Sequence, residues 1–193
     1  ETPRPFVLLL HGGGFQAGVK DAEPFPDLAR MLADRGYVAI SANYRLIGEG
    51  PVLSEEFAPV RDGLIAAIPV EPSPQIRQLA NGAASAFEDT VSAVDWVSAH
   101  AEEHCIDPSR YAIWGSSAGA VIALHVAYGM DDYGIAVRKP EVVIDYWGRL
   151  VGDGLIAPDD PPVFILHGDA DADVPYRFAL DLQSAADQAG VPY

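Results

Sequence analysis

Short apolar runs rich in Val, Ile and aromatic residues alternate along this chain with segments of helical character, and that alternation restricts the fold more than any other feature. The strand candidates are "FVLLLHG" (6–12), "YVAISANY" (37–44), "RYAIWGS" (110–116), "EVVIDYWG" (141–148) and "PVFILHG" (162–168). Each is apolar nearly throughout, which suits strands buried on both faces. Helices are expected at 24–35, 85–104, 118–129 and 175–189, with Gly190 as a stop after the last. The pattern predicts an α/β class: a mostly parallel sheet with helices on both faces, three layers in all. At 193 residues the chain can bury one good core, so a single domain over 1–193 is expected. Residues 46–86 break the alternation, because the turns "GEGP" and "IPVEPSP" surround one short apolar run, "GLIAAI". A connection this long inside a compact domain is more often a functional loop than featureless coil, so 46–86 is expected to be a cover segment.

The stretch "IWGSSAGAV" (113–121) places two serines between two glycines. It fits Gly-x-Ser-x-Gly with Ser117 at the centre and Ser116 as the variable residue. A buried strand runs into it and an apolar helix leaves it, which is the context of a sharp turn that projects a serine beyond the strand end. Ser117 is therefore the candidate nucleophile.

A second element, "HGGGFQAG" (11–18), follows the first strand directly. Successive glycines let backbone N–H groups approach a ligand with no Cβ in the way. Acyl transfer needs such donors, since the carbonyl oxygen gains negative charge in the tetrahedral intermediate. Gly13 and Gly14 are the candidate donors here, with the N–H of Ala118 as a third. A Gly-rich turn also suits phosphate, but no Gly-Lys-Ser/Thr follows, and Gly12, Gly14 and Gly18 miss the dinucleotide spacing.

The third element, "LHGDADADVPY" (166–176), offers Asp169, Asp171 and Asp173 after the last strand. Asp169 lies close to the strand end, where it would brace the turn. Asp173 precedes "VPY", where it would cap a helix starting at 175. That leaves Asp171 as the triad acid, with Asp173 next. A calcium loop is disfavoured, because its sixth position would be Val174 and its twelfth Leu180.

These residues together resemble the α/β-hydrolase superfamily, in particular serine carboxylesterases and lipases of the hormone-sensitive-lipase-like kind. The motifs "HGGGF", "SANYRL" (41–46), "IDPSRYAIWGSSAGA" (106–120) and "HGDADADVPY" (167–176) occur in the family's order. The resemblance implies Ser117 as nucleophile, an oxyanion hole from Gly13, Gly14 and Ala118, and Asp171 as acid. It implies cleavage of small to medium carboxylic esters through an acyl-enzyme, with no metal or organic cofactor. Ser116 stands where that branch usually has an acidic residue. The family's histidine should follow the acid, yet no histidine follows His167. The family also places antiparallel strands before the first strand seen here. The chain is therefore expected to be truncated at both ends, with its catalytic histidine beyond Tyr193.

The five histidines present suit other tasks. His11 should orient the glycine turn through a ring hydrogen bond, and His167 should brace the acid loop. His125 lies eight residues past Ser117 on one helix, about 12 Å along the axis, and reads as a core residue. His100 and His104 form "HAEEH", a His-x-x-Glu-His pattern that with Glu103 could hold zinc in a metallopeptidase. Against that, the motif falls at a helix end, where the dipole favours histidine, and no third ligand is evident. The same residues are also compatible with a serine peptidase on this fold and with a binding protein that has lost catalysis.

Charge narrows the partners. Twelve basic residues, of which only Lys20 and Lys139 are lysine, stand against 28 acidic ones, a net −16. Such a surface repels phosphate backbones and anionic lipid, so a small-molecule ester is the expected partner, not nucleic acid. The longest apolar run, "AGAVIALHVAYGM", falls short of the ~20 residues a membrane span needs. Cys105 is the only cysteine, so no intrachain disulfide can form. Oligomeric state is not legible in the sequence.

Overall fold

The computed structural model describes residues 2–193. Five strands form one sheet: β1 (Arg4–Leu10), β2 (Val38–Ala42), β3 (Ile106–Ser116), β4 (Val142–Tyr146) and β5 (Val163–Leu166). Their spatial order is β2-β1-β3-β4-β5, and every neighbouring pair is parallel. The order reverses between β1 and β3, so the connections leaving those two strands open a crevice at their carboxyl ends.

Five helices cover the sheet: α1 (Phe25–Ala33), α2 (Ala58–Ala66), α3 (Pro74–Ala99), α4 (Ala118–Tyr128) and α5 (Arg177–Ala189). The alternation of side chains along β1 sorts the two faces. Phe6, Leu8 and Leu10 enter the main core with Val91 of α3, Ile122 of α4 and Leu182 of α5. Val7 and Leu9 face the other way, toward Leu32, Phe25 and Leu28 of α1. This is the three-layer arrangement of the α/β-hydrolase fold. Gly190 ends α5 in a left-handed conformation, which a residue without a Cβ adopts at little cost. No helix among the described residues is long and apolar enough to cross a membrane.

The 46–86 segment is more ordered than its turn signals suggest, and α3 begins eleven residues before the expected 85. Ser73 accepts a hydrogen bond from the Ile76 N–H at 3.3 Å, and Pro74 sits in the first turn, where its missing N–H is no loss. The proline that reads as a loop signal is a helix start. Gly82, inside α3, is required because a Cβ there would run into Ile47.

A second correction concerns Asp173. The last helix begins at Arg177 rather than 175, and its N-cap, Tyr176, makes no side-chain capping bond. Asp173 caps nothing; its own N–H donates to Asp171 Oδ1 at 2.9 Å.

Candidate active site

Ser117 occupies the junction between β3 and α4, with φ 53° and ψ −119°. A non-glycine residue in this region is strained, and such strain persists only where its surroundings enforce it. Here the enforcement is visible. The Ser117 N–H donates to the Tyr146 carbonyl at 2.9 Å, and its carbonyl accepts from Val121 at 2.9 Å. A Cβ on Gly115 would overlap the Gly119 backbone, and one on Gly119 would overlap the carbonyls of Leu10 and His11. Both glycines of the pattern are thus dictated by β3, α4 and the end of β1 crossing at one point.

The glycine turn abuts this junction. A Cβ on Gly12 would lie 3.0 Å from the Ser116 carbonyl and 3.2 Å from Ser117 Cβ, so only glycine lets the turn approach the serine so closely. Gly13 takes φ 115° and its carbonyl accepts from Gln16 and Ala17, which closes the turn and leaves the amide edge outward. Among the described residues the N–H groups of Gly13, Gly14 and Ala118 have no acceptor. Tyr44 fixes the turn from beneath: its hydroxyl donates to the His11 carbonyl at 2.8 Å and its ring stacks on His11 at 4.3 Å. The His11 ring donates from Nδ1 to the Gly12 carbonyl at 2.7 Å. Tyr44 is in turn held by its neighbour Arg45, which pairs with Glu88 and Asp89 of α3 at 2.7 and 2.8 Å. Tyr44 and Arg45 fall in "SANYRL", and nothing but that motif marks them in the sequence.

The acid loop follows β5. Asp171 Oδ1 accepts from the N–H groups of Asp173 and Val174, both at 2.9 Å. Those bonds, Val174 first, hold its carboxyl below the usual carboxylate range. Its Oδ2 has no hydrogen-bond partner and lies 3.9 Å from His167 Nε2. His167 donates from Nε2 to the Val174 carbonyl at 2.7 Å, so it braces the loop. Asp169 lies exposed beside the strand end.

None of the five histidines hydrogen-bonds to the Ser117 hydroxyl. His125 is buried, donates to Val121 and stacks on Phe87 at 4.8 Å. His100 stacks on Trp96 at 4.3 Å and its Nδ1 bonds the Trp96 carbonyl, while His104 lies 5.8 Å from the same indole. Among the described residues no group of three His, Cys, Asp or Glu side chains is arranged to hold a metal, and "HAEEH" supplies no such set.

Sequence reasoning passed over Asp145. It pairs with Gly115 in the β3–β4 register, is fully buried, and accepts from Gly148 N–H at 2.9 Å. Burial pushes its carboxyl up to about 6. The one available signal was a single charge inside the apolar run "EVVIDYWG".

A cavity of about 480 Å³ opens one helical turn beyond Ser117. Phe15 of the glycine turn, Ile68 and Pro69 after α2, Ala83 of α3, Val121 of α4 and Arg149 are among the residues that line it. Parts of 46–86 and the stretch after β4 therefore meet around one space.

The family model whose description is alpha/beta hydrolase fold matches residues 80–158. Thermogutta terrifontis esterase 2 phosphoramylated by tabun superimposes with a TM-score of 0.72 at 23% identity, over 99% of this chain and 70% of that one. A truncated form of carbohydrate esterase from gut microbiota gives 0.69 at 19%, over 100% and 76%. Among curated proteins, the chain is 26% identical to non-reducing polyketide synthase Preu6 of Preussia isomera over 76% of its own length. It is 27% identical to chlorogenic acid esterase of Aspergillus niger over 67%. It spans only 5% and 21% of those two proteins.

Proposed function

We propose that this chain carries the catalytic core of a serine ester hydrolase acting on small to medium carboxylic esters through an acyl-enzyme. The observation that carries the reading is the strained Ser117, at φ 53°, set against a glycine turn whose amides have no acceptor. In the mechanism Ser117 Oγ attacks the ester carbonyl, and the oxygen that becomes negative is held by Gly13, Gly14 and Ala118 N–H groups. Preorganised backbone donors of this kind stabilise the intermediate at no cost in reorganisation. The serine proton must leave as the bond forms. Asp171, with Oδ1 fixed by the loop and Oδ2 free, is built to orient an imidazole that takes this proton and returns it to the leaving alcohol. His167 is not that imidazole, because its side chain is 1% exposed and its Nε2 is committed to Val174. Residues 46–86 and 149–151 form the acyl or alcohol pocket. The chlorogenic acid esterase and the tabun-modified esterase support the same reaction class.

A fluorophosphonate probe, applied to the protein at the full length its gene encodes, is expected to label Ser117. Ser117→Ala should abolish labelling and lower p-nitrophenyl butyrate turnover on the order of 10⁴-fold or more, while Ser116→Ala keeps both. Asp171→Asn should cost on the order of 10⁴ in kcat, and Asp173→Asn less than about tenfold. Undiminished labelling of Ser117→Ala defeats the assignment.

A further inference from the structure

Carboxylates outnumber basic side chains 28 to 12 in this chain, so an arginine has many acidic partners to choose from. Arg30, Arg45, Arg61, Arg77 and Arg110 each reach one within 4.0 Å. The other five, Arg4, Arg35, Arg138, Arg149 and Arg177, do not among the described residues, and of these Arg149 and Arg177 line the cavity beyond Ser117. They flank one ring: their guanidinium carbons lie 5.4 and 4.9 Å from the centroid of Phe178. The carboxylates of Asp153 and Asp181 line a separate recess that Phe178 also borders, and neither comes within ion-pair distance of the two arginines. Arg177 also occupies the first position of α5, where the helix dipole opposes a cation, and no acidic residue of that turn offsets it.

This arrangement costs free energy as it stands. Burial, and then the repulsion of Arg177, push the Arg149 guanidinium down from its ordinary value. Contact with a phenyl face returns part of that cost but satisfies none of the fork of N–H donors on either side chain. The rest of the cavity wall is apolar, formed by residues such as Phe15, Ile68, Ile76 and Val121. A ligand that suits it has an apolar body and one anionic end.

We infer that the cavity is an acyl- or alcohol-binding site for esters that carry a second, free carboxylate, which Arg149 and Arg177 receive. The inference rests on the ester-hydrolase reading above and names its substrate class. A carboxylate is favoured over a phosphate dianion because the field of a −16 protein repels a dianion about twice as strongly as a monoanion. Its two oxygens match a pair of guanidinium donors, and charge-assisted bonds of that kind are the stronger class.

The test compares two esters of one length on the full-length protein, p-nitrophenyl hexanoate and the mono-p-nitrophenyl ester of adipic acid. They differ by a terminal methyl against a terminal carboxylate. Wild type should prefer the adipate ester in kcat/KM by about tenfold or more, and Arg149→Met and Arg177→Met should each raise its KM about 10- to 100-fold, in line with the loss of a charge-assisted contact. Both variants should lose at least tenfold less on the hexanoate ester than on the adipate ester, and an unchanged urea-unfolding midpoint reports that they fold. Arg149→Lys should recover part of the adipate preference, since it keeps the charge without the fork. Equal losses on both esters, or no adipate preference in wild type, overturn the inference. If wild type hydrolyses neither ester, the hydrolase reading falls, and calorimetry with monomethyl adipate decides the site alone. Binding lost in the double Met variant upholds an anion site; equal or absent binding in both proteins removes it.

Discussion

His125 of α4 and Asp145 of β4 are both buried and both capable of charge, yet the protein treats them differently. His125 is satisfied at each ring nitrogen: Nδ1 donates to the Val121 carbonyl at 2.7 Å, and Nε2 accepts from the Val151 N–H at 3.1 Å. Those two bonds fix one neutral tautomer and fasten the stretch after β4 to the middle of the helix. Asp145 has one oxygen bonded to Gly148 and the other, Oδ2, buried without a partner. Among the described residues two further buried side-chain atoms lack partners, His11 Nε2 and His167 Nδ1. All three lie at or just past the carboxyl ends of strands β1, β4 and β5, while His125, in the middle of α4, is complete. Unmet polar groups carry a cost in a dry interior, and native proteins keep few of them. They gather here at the carboxyl ends of the strands, where His167 directly follows β5, the strand paired with the one that carries Asp145.

The largest expected effect tests the satisfied half of that contrast. His125→Ala removes a packed ring and orphans the Val151 N–H, so it should cost about 4 kcal/mol of stability at pH 7 in urea unfolding. A loss under about 1 kcal/mol, the scale of an ordinary surface change, would show that His125 fastens nothing, and the contrast would disappear.

A somewhat smaller effect is expected with pH. Burial pushes His125 down to about 4, against an unfolded value near 6.5. Its contribution is therefore fully present above about pH 6.5 and lost as pH falls through about 4, for a total of about 3 kcal/mol. The unfolding midpoint in urea should drop across that window, and the drop should vanish in a His125 variant.

The smallest effect concerns Asp145, whose sign is opposite. Its folded value of about 6 lies above the unfolded one, so the stability it lends is complete below about pH 4 and lost as pH rises through about 6. Asp145→Asn keeps the acceptor for Gly148 and removes the buried anion, so it should gain about 2 kcal/mol at about pH 8. A loss under the same conditions would mean that the buried carboxylate is stabilised as the anion, against the effect of burial. That outcome would sharpen the comparison into one between a neutral structural histidine and a stabilised buried anion.

Much of this was legible in order along the chain. The five strands, the helices that follow four of them and the Ser117 turn all rest on local signals: apolar runs, glycine spacing and a strand leading into a helix. Gly115 belongs to the same class, because its necessity arises within the turn that carries the serine, whereas Gly119 is dictated by the end of β1 crossing from a distant part of the chain. Pro74 shows where local reading fails, since proline marks both loops and first helical turns, and only the contacts around it decide between them. Asp173 failed for a similar reason, because the backbone N–H groups it was expected to cap belong to a helix that starts later.

What the sequence could not specify is which side chains from distant segments meet. Asp145 reads as an interruption of a buried run; only the β4 register, with α4 above it, encloses it fully and leaves one oxygen unmet. Arg149 and Arg177 lie 28 positions apart with nothing local to join them, and they share Phe178 only because the stretch after β4 and the start of α5 end at one cavity. Backbone conformation is set largely by neighbours in the chain, so its patterns can be read from residue order. Burial, desolvation and the meeting of like charges depend on contacts across the fold, and those were decided by tertiary packing.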